Sequence, residues 1–223
     1  MLAFGCATTS EQEYFACAAP TIERISEPSS LALRRHGWDS IQEPYNDMLT
    51  EAGRHRDLEA LVLLHQDLSI ADPHFAARVR ALLAADERVA VIGAVGARNV
   101  PGLAWWEGDC LTGRVETPCL VPGGTVVDHA RGVREVDAID GILIVLSAWA
   151  VRELRFDRAL GPFDGYDADI CLQARARGRR VVVGDFRGVA HHVGDDSFHR
   201  ARWTRGATAL RRKWDPDLVA GCV

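Results

Sequence analysis

The chain has 223 residues, of which 48% are hydrophobic, and this is enough to bury a sizeable core in one globular domain. It carries 31 acidic residues against 26 Lys and Arg, a net charge of −5, and nearly all of its positive charge is arginine. This balance argues against nonspecific binding of nucleic acid. We therefore expect one soluble domain over residues 1–223 that has no nucleic-acid partner.

The amino terminus and the cysteines favour a cytoplasmic location. The first residues lack a positive start followed by a long apolar segment, so we expect no signal peptide. The longest uncharged apolar run, Gly141–Val151, is too short to cross a bilayer. The six cysteines are scattered without a Cys-x-x-Cys pair, which predicts reduced thiols rather than disulfides or a zinc site.

The first part of the chain predicts two strands and two helices. Leu2–Ala7 should form a strand, and Glu11–Ile25 a helix interrupted by Pro20. Hydroxyl side chains lie between them, at Thr8, Thr9 and Ser10. Such hydroxyls can bind the polar edges of a nucleotide, and they are equally suited to capping the helix. Ser30–Arg34 should form a second strand, and Glu43–Ala52 an amphipathic helix.

The stretch Leu61–Asp67 joins four apolar residues to a polar tip. The apolar part suits a strand buried on both faces in the middle of an α/β sheet, and the tip would then open into a cleft. If the strand stays extended, His65 and Asp67 point to the same side. An imidazole and a carboxylate there can hold a divalent metal or the phosphates that it carries. The alternative is that Asp67 only caps the next helix.

A helix and a strand follow this tip. Asp72-Pro73 should open the helix, whose apolar stripe includes Phe75 and Val79, and Val89–Val95 should form another buried strand. Strand, helix and strand at this spacing predict a right-handed parallel crossover.

Residues 96–136 are rich in glycine and proline, and with short β-like runs beside their turn signals they predict an irregular excursion over the edge of the sheet. Turns are indicated at Thr112-Gly113 and at Pro122-Gly123-Gly124. Trp105 and Trp106 lie in this region, and their flat faces can form a platform for a sugar ring or a lipid. The alternative is that they only pack the excursion onto the core.

Acidic residues cluster after the next strand and helix. Ile142–Leu146 predicts a strand, and Ser147 can cap the helix that follows. Three aspartates then lie close together in a loop and at the start of a helix, at Asp164, Asp167 and Asp169. Carboxylates in a first turn favour the helix dipole, but this crowding is more than one cap requires, so one of them can serve as a general base.

The last part of the chain contains adjacent histidines and a basic helix. Arg180–Gly184 predicts a buried strand, and His191 or His192 can complete an oxygen and nitrogen metal site with Asp67. Ser197–Trp214 predicts an amphipathic helix. Its apolar stripe can pack on its own domain or on a second copy, which would give a homodimer. Its basic face is either solvated, or it contacts substrate phosphates or the anionic head groups of a membrane surface.

Taken in order, several stretches resemble the family-2 glycosyltransferases, and within them the streptomycin-biosynthesis-type glycosyltransferase-like domain. The resemblance covers roughly residues 2–194. The stretches that carry it are Glu43–Asn46, Leu61–Asp67, Ala90–Gly96, Trp105-Trp106, Val136–Gly141, Phe163–Gln173 and His191-His192. The resemblance implies a GT-A fold, which is an α/β domain for nucleotide-diphosphate sugars with a mixed, mainly parallel sheet, and a requirement for Mn²⁺ or Mg²⁺.

The resemblance also implies roles for individual residues. His65-Gln66-Asp67 matches the family's Asp-x-Asp motif for the metal and diphosphate, with His65 in place of the first aspartate. Gly165–Asp169 resembles Gly-Glu-Asp-x-Asp, with Tyr166 in place of the glutamate and Asp167 as the catalytic base. His191 or His192 matches a late histidine that can bind the metal.

Substrate contacts are implied in the same way. The resemblance places the nucleotide base and ribose near Thr8, Thr9, Ser10, Asp39, Tyr45 and Asn46. It places the donor sugar and the acceptor near Asp140 and Gly141. We expect Trp105, Trp106 and Asp169 to contact substrate as well.

These residues predict an inverting, metal-dependent transfer of a sugar, of the hexosyltransferase type. The donor would be a nucleotide-diphosphate sugar, and the acceptor a hydroxyl of a carbohydrate or another molecule. Two alternatives stay open at the level of the sequence. One is a noncatalytic nucleotide-sugar-binding or scaffold protein with the same fold, and the other is a metal-dependent phosphohydrolase that uses the same Asp and His cluster.

Overall fold

The computed structural model describes residues 1–117, 125–192 and 200–214, except for the side chains of 125–128. The predicted turn at Pro122-Gly123-Gly124 and the predicted helix start at Ser197 lie outside the described residues. The strands within them are β1 (Leu2–Thr8), β2 (Leu31–His36), β3 (Ala60–Leu64), β4 (Leu68–Ile70), β5 (Val89–Gly93), β6 (Val95–Arg98), β7 (Asp109–Thr117), β8 (Thr125–Asp128), β9 (Arg134–Val136), β10 (Ala138–Ile139), β11 (Leu143–Ser147), β12 (Arg180–Val183) and β13 (Val189–His191). The α-helices are α1 (Glu11–Glu13), α2 (Ala19–Ile25), α3 (Gln42–Ala52), α4 (Phe75–Ala85), α5 (Ala148–Glu153), α6 (Tyr166–Ala176) and α7 (Arg200–Lys213).

Seven strands form the main sheet, in the order β2-β1-β3-β11-β5-β12-β9. Five of them run in one direction, while β11 and β9 are antiparallel to their neighbours. The sheet is therefore mixed and mainly parallel, as the sequence predicts. The strands β3 and β5 run in the same direction, but β11 lies between them and pairs with both.

A second sheet has the order β10-β6-β7-β13-β4, with β8 paired to β7. The expectation of an irregular excursion over residues 96–136 is therefore wrong where these strands lie. The sequence pattern concealed β7 because it indicates a turn at Thr112-Gly113; this prediction is wrong, since both residues are buried inside the strand and the second of them is a glycine. That residue, Gly113, has φ +103° and lies opposite Val95, and a side chain there would clash with the Ala94 carbonyl oxygen. Glycine is thus what lets β6 and β7 approach each other.

The strand β3 is buried on both faces, as its apolar run predicts. Its side chains alternate, so Val62 and Leu64 pack into one apolar cluster, and Leu61 and Leu63 pack into another. The first cluster includes residues of α4, and the second includes residues of α3, α5 and α6. Each large side chain buried in this way contributes roughly 1.5–3 kcal/mol, which holds the end of β3 at a defined place in the fold.

The first helix is divided, as Pro20 predicts. A π-helical turn over Tyr14–Ala18 separates α1 from α2, because a proline has no N–H to continue the α-helical hydrogen bonds. The hydroxyl of Ser10 caps α1 by accepting the N–H of Glu13 at 3.3 Å. The hydroxyl of Ser147 caps α5 in the same way.

The helix α7 packs on its own chain. Leu210 is buried in a small apolar cluster with Leu103, Leu160 and Ala168, and the other stripe residues, Trp203, Ala207 and Trp214, pack against it. The apolar stripe thus packs on its own domain, which is the first of the two predicted arrangements, and the homodimer stays a prediction. No α-helix among the described residues is long and apolar enough to cross a membrane.

Candidate active site

The polar tip of residues 65–67 lies in a turn between β3 and β4, so the strand is not extended through it as the sequence analysis assumed. The N–H of His65 donates to the Ile142 carbonyl at 3.0 Å, and the chain then turns into β4. The strand β13 pairs antiparallel with β4 and places His191 opposite Leu68. The turn and this pairing bring the side chains of His65, Asp67 and His191 together.

These three side chains form a group that can hold a divalent cation. Their candidate ligand atoms all lie within 4.8 Å of one another, and His191 Nε2 is 3.3 Å from Asp67 Oδ2. Burial alone would raise the pKa of Asp67, but the hydrogen bond with His191 and the nearby imidazoles outweigh burial and lower it. Burial and His191 lower the pKa of His65 to about 4. An ionised carboxylate and a neutral imidazole are the forms that bind metals.

Asp67 is therefore not a helix cap. In the turn before α4, Asp72 Oδ1 accepts the N–H of His74 at 2.9 Å, and no side chain in the described part of the chain caps α4 itself. Of the two adjacent histidines, the structure brings His191 and not His192 into the cluster. The Nε2 atom of His192 lies 2.9 Å from the Ser69 hydroxyl. Adjacent residues of a strand point to opposite sides, which explains why only one of them reaches the cluster.

Gln66 joins the tip to the end of β1. Its Oε1 accepts the N–H groups of Thr9 and Ser10 at 2.7 and 2.9 Å. Its Nε2 donates to Glu13 at 2.5 Å. The predicted hydroxyl residues Thr8, Thr9 and Ser10 therefore do not all face the same environment. Thr8 is buried and its hydroxyl is bonded to the Arg35 carbonyl, whereas Thr9 is exposed.

Asp167 lies in the first turn of α6 and is held by two backbone groups. Its Oδ2 accepts the N–H of Gly141 at 3.1 Å, and its Oδ1 accepts the N–H of Ala168 at 2.8 Å. Burial and the negative charge of Asp140 raise the pKa of Asp167 to about 7, although the two N–H groups oppose this shift. A carboxyl with such a pKa can accept a proton near neutral pH, which suits a general base.

Asp140 fixes the turn that contacts this base. Its Oδ1 accepts the N–H of Ile142 at 3.0 Å, and its Oδ2 accepts the indole N–H of Trp105 at 2.8 Å. Trp105 is therefore buried and hydrogen-bonded, while Trp106 is 52% exposed and stands edge-on to it. The two tryptophans do not form one flat platform, because their ring planes are 85° apart.

A cavity of about 460 Å³ lies in front of Asp167, and we call it the large cavity because the cavity that adjoins it has only about 380 Å³. Its walls combine aromatic rings with carboxylates, and its lining includes Glu13, Leu103, Trp105, Trp106, Asp140, Gly141, Asp164, Asp167, His191 and Trp203. The ring of Trp106 and the carboxylate of Asp167 thus face the same space. This volume is of the size that holds a small organic ligand.

An adjoining cavity of about 380 Å³ lies beside the end of β1. Its lining includes Thr8, Thr9, Arg35, Trp38, Asp39, Ser40, Ile41, Pro44, Gln66 and Pro162. Both cavities are also lined by His65, Asp67, Phe163 and Arg202. The two spaces therefore meet at the candidate cation-binding residues.

Sequence reasoning did not single out four of the lining residues as individual site residues: Trp38, Phe163, Arg202 and Trp203. The Nε atom of Arg202 donates to Asp164 at 2.6 Å, and its guanidinium lies 4.8 Å from the centre of the Phe163 ring. The predicted basic face of α7 was the nearest indication, because it includes Arg202. Which of its arginines faces the site follows only from how α7 packs.

The structure does not place Tyr45 and Asn46 where they could contact a nucleotide. Tyr45 is fully buried in the core, where its ring packs against Phe156 and Tyr166. The Asn46 amide donates to the Phe156 carbonyl at 2.8 Å and accepts the Phe156 N–H at 2.9 Å. Tyr45 lies in the core, the partly buried Asn46 holds the backbone of Phe156, and neither lines the two cavities, so the expectation that they bind substrate is corrected.

Asp169 is also structural, contrary to the expectation that it contacts substrate. It is fully buried, and its carboxylate accepts hydrogen bonds from Gln173, from Lys213 at 2.8 Å and from the indole N–H of Trp214 at 2.9 Å. It follows Asp167 by two residues in the first turn of α6, which places the two side chains on opposite sides of the helix. Its role is to fasten α7 to α6.

We expect Asp169→Ala to lower the free energy of unfolding by about 3 kcal/mol, because it removes the fully buried carboxylate that pairs with Lys213 and leaves the indole N–H of Trp214 without its acceptor. Urea denaturation measures this loss. The matched control is Asp157→Ala, which removes the other carboxylate of the same Lys213, 2.8 Å away but 33% exposed. That change should cost no more than about 1 kcal/mol, and equal losses in the two variants would contradict the role given to Asp169.

Comparison with known proteins supports this picture. The family model described as "Glycosyltransferase like family" matches residues 5–209. The chain is similar to the streptomycin biosynthesis protein StrF of Streptomyces griseus, with 30% identity over 175 residues, which are 78% of this chain and 60% of StrF. The chain thus spans about 60% of the length of that relative.

Solved structures show the same fold at low sequence identity. GalNAc-T7 with UDP, GalNAc and Mn²⁺ aligns with a TM-score of 0.62 at 8% identity, over 96% of this chain and 48% of that one. The mannosyltransferase PcManGT of Pyrobaculum calidifontis, in complex with GDP-Man and Mn²⁺, aligns with a TM-score of 0.55 at 16% identity, over 94% and 61%. A197 from STIV aligns with a TM-score of 0.52 at 10% identity, over 89% and 97%.

These likenesses show that the mixed sheet and its flanking helices have the GT-A fold. The family model matches most of this chain, so the chain belongs to the glycosyltransferase-like family that its sequence motifs resemble.

Proposed function

We propose that this protein transfers a hexosyl group from a nucleotide-diphosphate sugar to an acceptor hydroxyl, with inversion at the anomeric carbon. One observation carries the proposal. Two cavities meet at His65 and Asp67, and the large cavity contains a carboxyl that can accept a proton near neutral pH. A nucleotide-diphosphate sugar has a nucleoside at one end, a sugar at the other and a diphosphate between them. Two cavities that meet at a candidate cation site suit this shape.

In this proposal the adjoining cavity receives the nucleoside. Trp38 offers an aromatic face, and Asp39 and the exposed Thr9 offer polar groups at its wall. Gln66 holds the backbone at Thr9 and Ser10 in place. The GT-A neighbours GalNAc-T7 and PcManGT were solved with UDP and with GDP-Man, which supports a nucleotide donor of this class here.

The diphosphate would lie where the two cavities meet. Arg202 lines both of them and supplies positive charge there. His65, Asp67 and His191 offer two imidazole nitrogens and one carboxylate oxygen for a divalent cation, a set that favours Mn²⁺ over the strictly oxygen-preferring Mg²⁺. When bound, such a cation offsets the negative charge that develops on the leaving nucleoside diphosphate.

The large cavity would hold the donor sugar and the acceptor. Asp167 takes the proton of the acceptor hydroxyl, whose oxygen forms the new bond to the anomeric carbon. The bond from that carbon to the phosphate oxygen breaks, and its electron pair leaves with the nucleoside diphosphate. A single base on the face opposite the leaving group gives inversion. The rings of Trp105, Trp106 and Trp203 line the same space, and aromatic faces pack well on sugar C–H groups.

A thermal-shift panel of UDP, GDP, CDP and dTDP, each with and without Mn²⁺, tests the donor site. A ligand at about 100 times its dissociation constant stabilises the folded state by about 2.7 kcal/mol, which raises the melting temperature by about 5–10 °C in a chain of this length. We expect one nucleotide to give such a shift, and only with Mn²⁺. A nucleotide that binds while its sugar conjugates give neither transfer nor hydrolysis would instead support a noncatalytic binding protein. Release of phosphate from simple esters would support a hydrolase.

A further inference from the structure

Tyr166 connects the cation-binding cluster with the catalytic carboxyl. Its hydroxyl lies 2.7 Å from His65 Nε2, and its side chain is 3% exposed. Tyr166 is the first residue of α6, so the next residue along the chain is Asp167. One side chain thus contacts a candidate metal ligand, and its neighbour carries the candidate base.

The tyrosine ring is held in place from several sides. A side chain at Gly141 would clash with the Tyr166 hydroxyl, so the backbone there lies directly against the phenol. The ring centres of Tyr45 and Phe163 lie 5.9 and 5.7 Å from that of Tyr166. The same Gly141 donates its N–H to Asp167. The phenol oxygen is therefore fixed relative to both His65 and the base.

A histidine that binds a cation through one ring nitrogen usually hydrogen-bonds through the other, and this second bond selects the tautomer. The Nε2 of His65 is engaged by the phenol, which leaves Nδ1 for the cation. We propose that Tyr166 is a positioning residue whose oxygen accepts the Nε2–H of His65, so that the Nδ1 lone pair of His65 is presented to the divalent cation. The inference rests on the proposed function, because it takes the cluster of His65, Asp67 and His191 to be a cation site.

This pairing also relates two features of the sequence. His65 and Tyr166 are the positions at which the chain departs from the Asp-x-Asp and Gly-Glu-Asp-x-Asp patterns, and the structure places them in contact. A carboxylate at position 65 has no tautomer to select, whereas an imidazole has two. The hydroxyl of Tyr166 selects one of these two tautomers by accepting the Nε2–H of His65.

The test compares Tyr166→Phe with Tyr45→Phe. Both changes remove one hydroxyl from a buried tyrosine in the same aromatic group, but the Tyr45 hydroxyl has no hydrogen-bond partner among the described residues. Nitrogen NMR of the metal-free protein reports the His65 tautomer, with its signals identified by their loss in His65→Asn. Calorimetric titration with Mn²⁺ reports the affinity.

We expect the wild-type protein and Tyr45→Phe to show the Nε2–H tautomer and equal affinity for Mn²⁺. Tyr166→Phe should lose the tautomer preference and bind Mn²⁺ about 10–100-fold more weakly, the range found when such supporting bonds are removed. An Nδ1–H tautomer in the wild type, or an unchanged Mn²⁺ affinity in Tyr166→Phe, would overturn the inference. A wild-type protein that binds no Mn²⁺ would overturn the cation site itself. The NMR result on the metal-free protein shows separately whether the hydrogen bond between Tyr166 and His65 exists.

Discussion

Replacing Asp167 by asparagine should lower the rate of sugar transfer by about 10²–10⁴-fold, the usual contribution of a general base. The amide keeps the size of the side chain and can still accept a backbone hydrogen bond, but it cannot take a proton from the acceptor. Single-turnover measurements with the donor identified by the nucleotide panel would show the loss. A rate within a few-fold of the wild type would exclude Asp167 as the base.

The same residue sets the expected pH dependence. Asp167 works as a base only when ionised, so the wild-type rate should rise with pH and level off above about 7, where its raised pKa lies. The charge of Asp140 is one cause of that shift, after burial. Asp140→Asn should therefore move the midpoint of the rate profile to lower pH, and an unchanged midpoint would show that Asp140 does not act on the base.

Ionisation of Asp167, which activates the base, should lower the stability of the folded protein. The folded protein holds the Asp167 proton more tightly than the unfolded chain does, because the pKa is raised from 3.8 to about 7. This contribution to stability is complete at low pH and is lost as the pH rises through about 7. Asp167→Asn has no charge to bury, so its melting temperature relative to the wild type should be higher at pH 8 than at pH 4.

Replacing Asp67 by alanine should abolish the cation-dependent part of donor binding, with Mn²⁺ affinity reduced more than about 100-fold, since a direct ligand contributes at least as much as its supporting bonds. The carboxylate is the one anionic member of the cluster that also contains His65 and His191. Titration with Mn²⁺, followed by the nucleotide panel in the presence of Mn²⁺, measures both effects. Intact Mn²⁺ affinity in this variant would place the cation elsewhere.

The two adjacent histidines provide the matched pair for this experiment. His191→Ala should weaken Mn²⁺ binding in the same way as Asp67→Ala, because His191 Nε2 lies 3.3 Å from Asp67 Oδ2. His192→Ala removes an imidazole one residue away that bonds to Ser69 instead. Its Mn²⁺ affinity should stay within a few-fold of the wild type. The reverse order of effects would mean that the cluster is assembled differently from the way described.

Much of the fold could be predicted because its signals are local. The apolar run that ends at Leu64 predicts a strand buried on both faces, and the hydroxyls of Ser10 and Ser147 cap helices as expected. Short β-like runs could be recognised within residues 96–136, but their pairing into a second sheet could not be predicted. The strand β7 contains Thr112-Gly113, which the sequence indicates as a turn, and its approach to β6 depends on that glycine rather than on a local pattern.

The candidate site divides in a similar way. The motifs identified His65, Asp67 and Asp167 as candidate site residues. A histidine or a carboxylate next to the end of a predicted strand or helix can be recognised from the sequence alone. The same reasoning misplaced Tyr45, Asn46 and Asp169, which are polar residues that the structure uses to hold its interior together. Residue type shows what a side chain can do, but not which way it points.

The sequence by itself determined the α/β class, the family motifs in their order, and the presence of an imidazole and carboxylate group beside a candidate base. Only the tertiary structure decided that His191 rather than His192 completes the cluster, that Tyr166 contacts His65, and that Arg202 of α7 lines both cavities. Each of these depends on contacts between residues far apart in the chain. The pairing of β13 with β4 and the packing of α7 determine the direction of these side chains, and no local pattern encodes that direction.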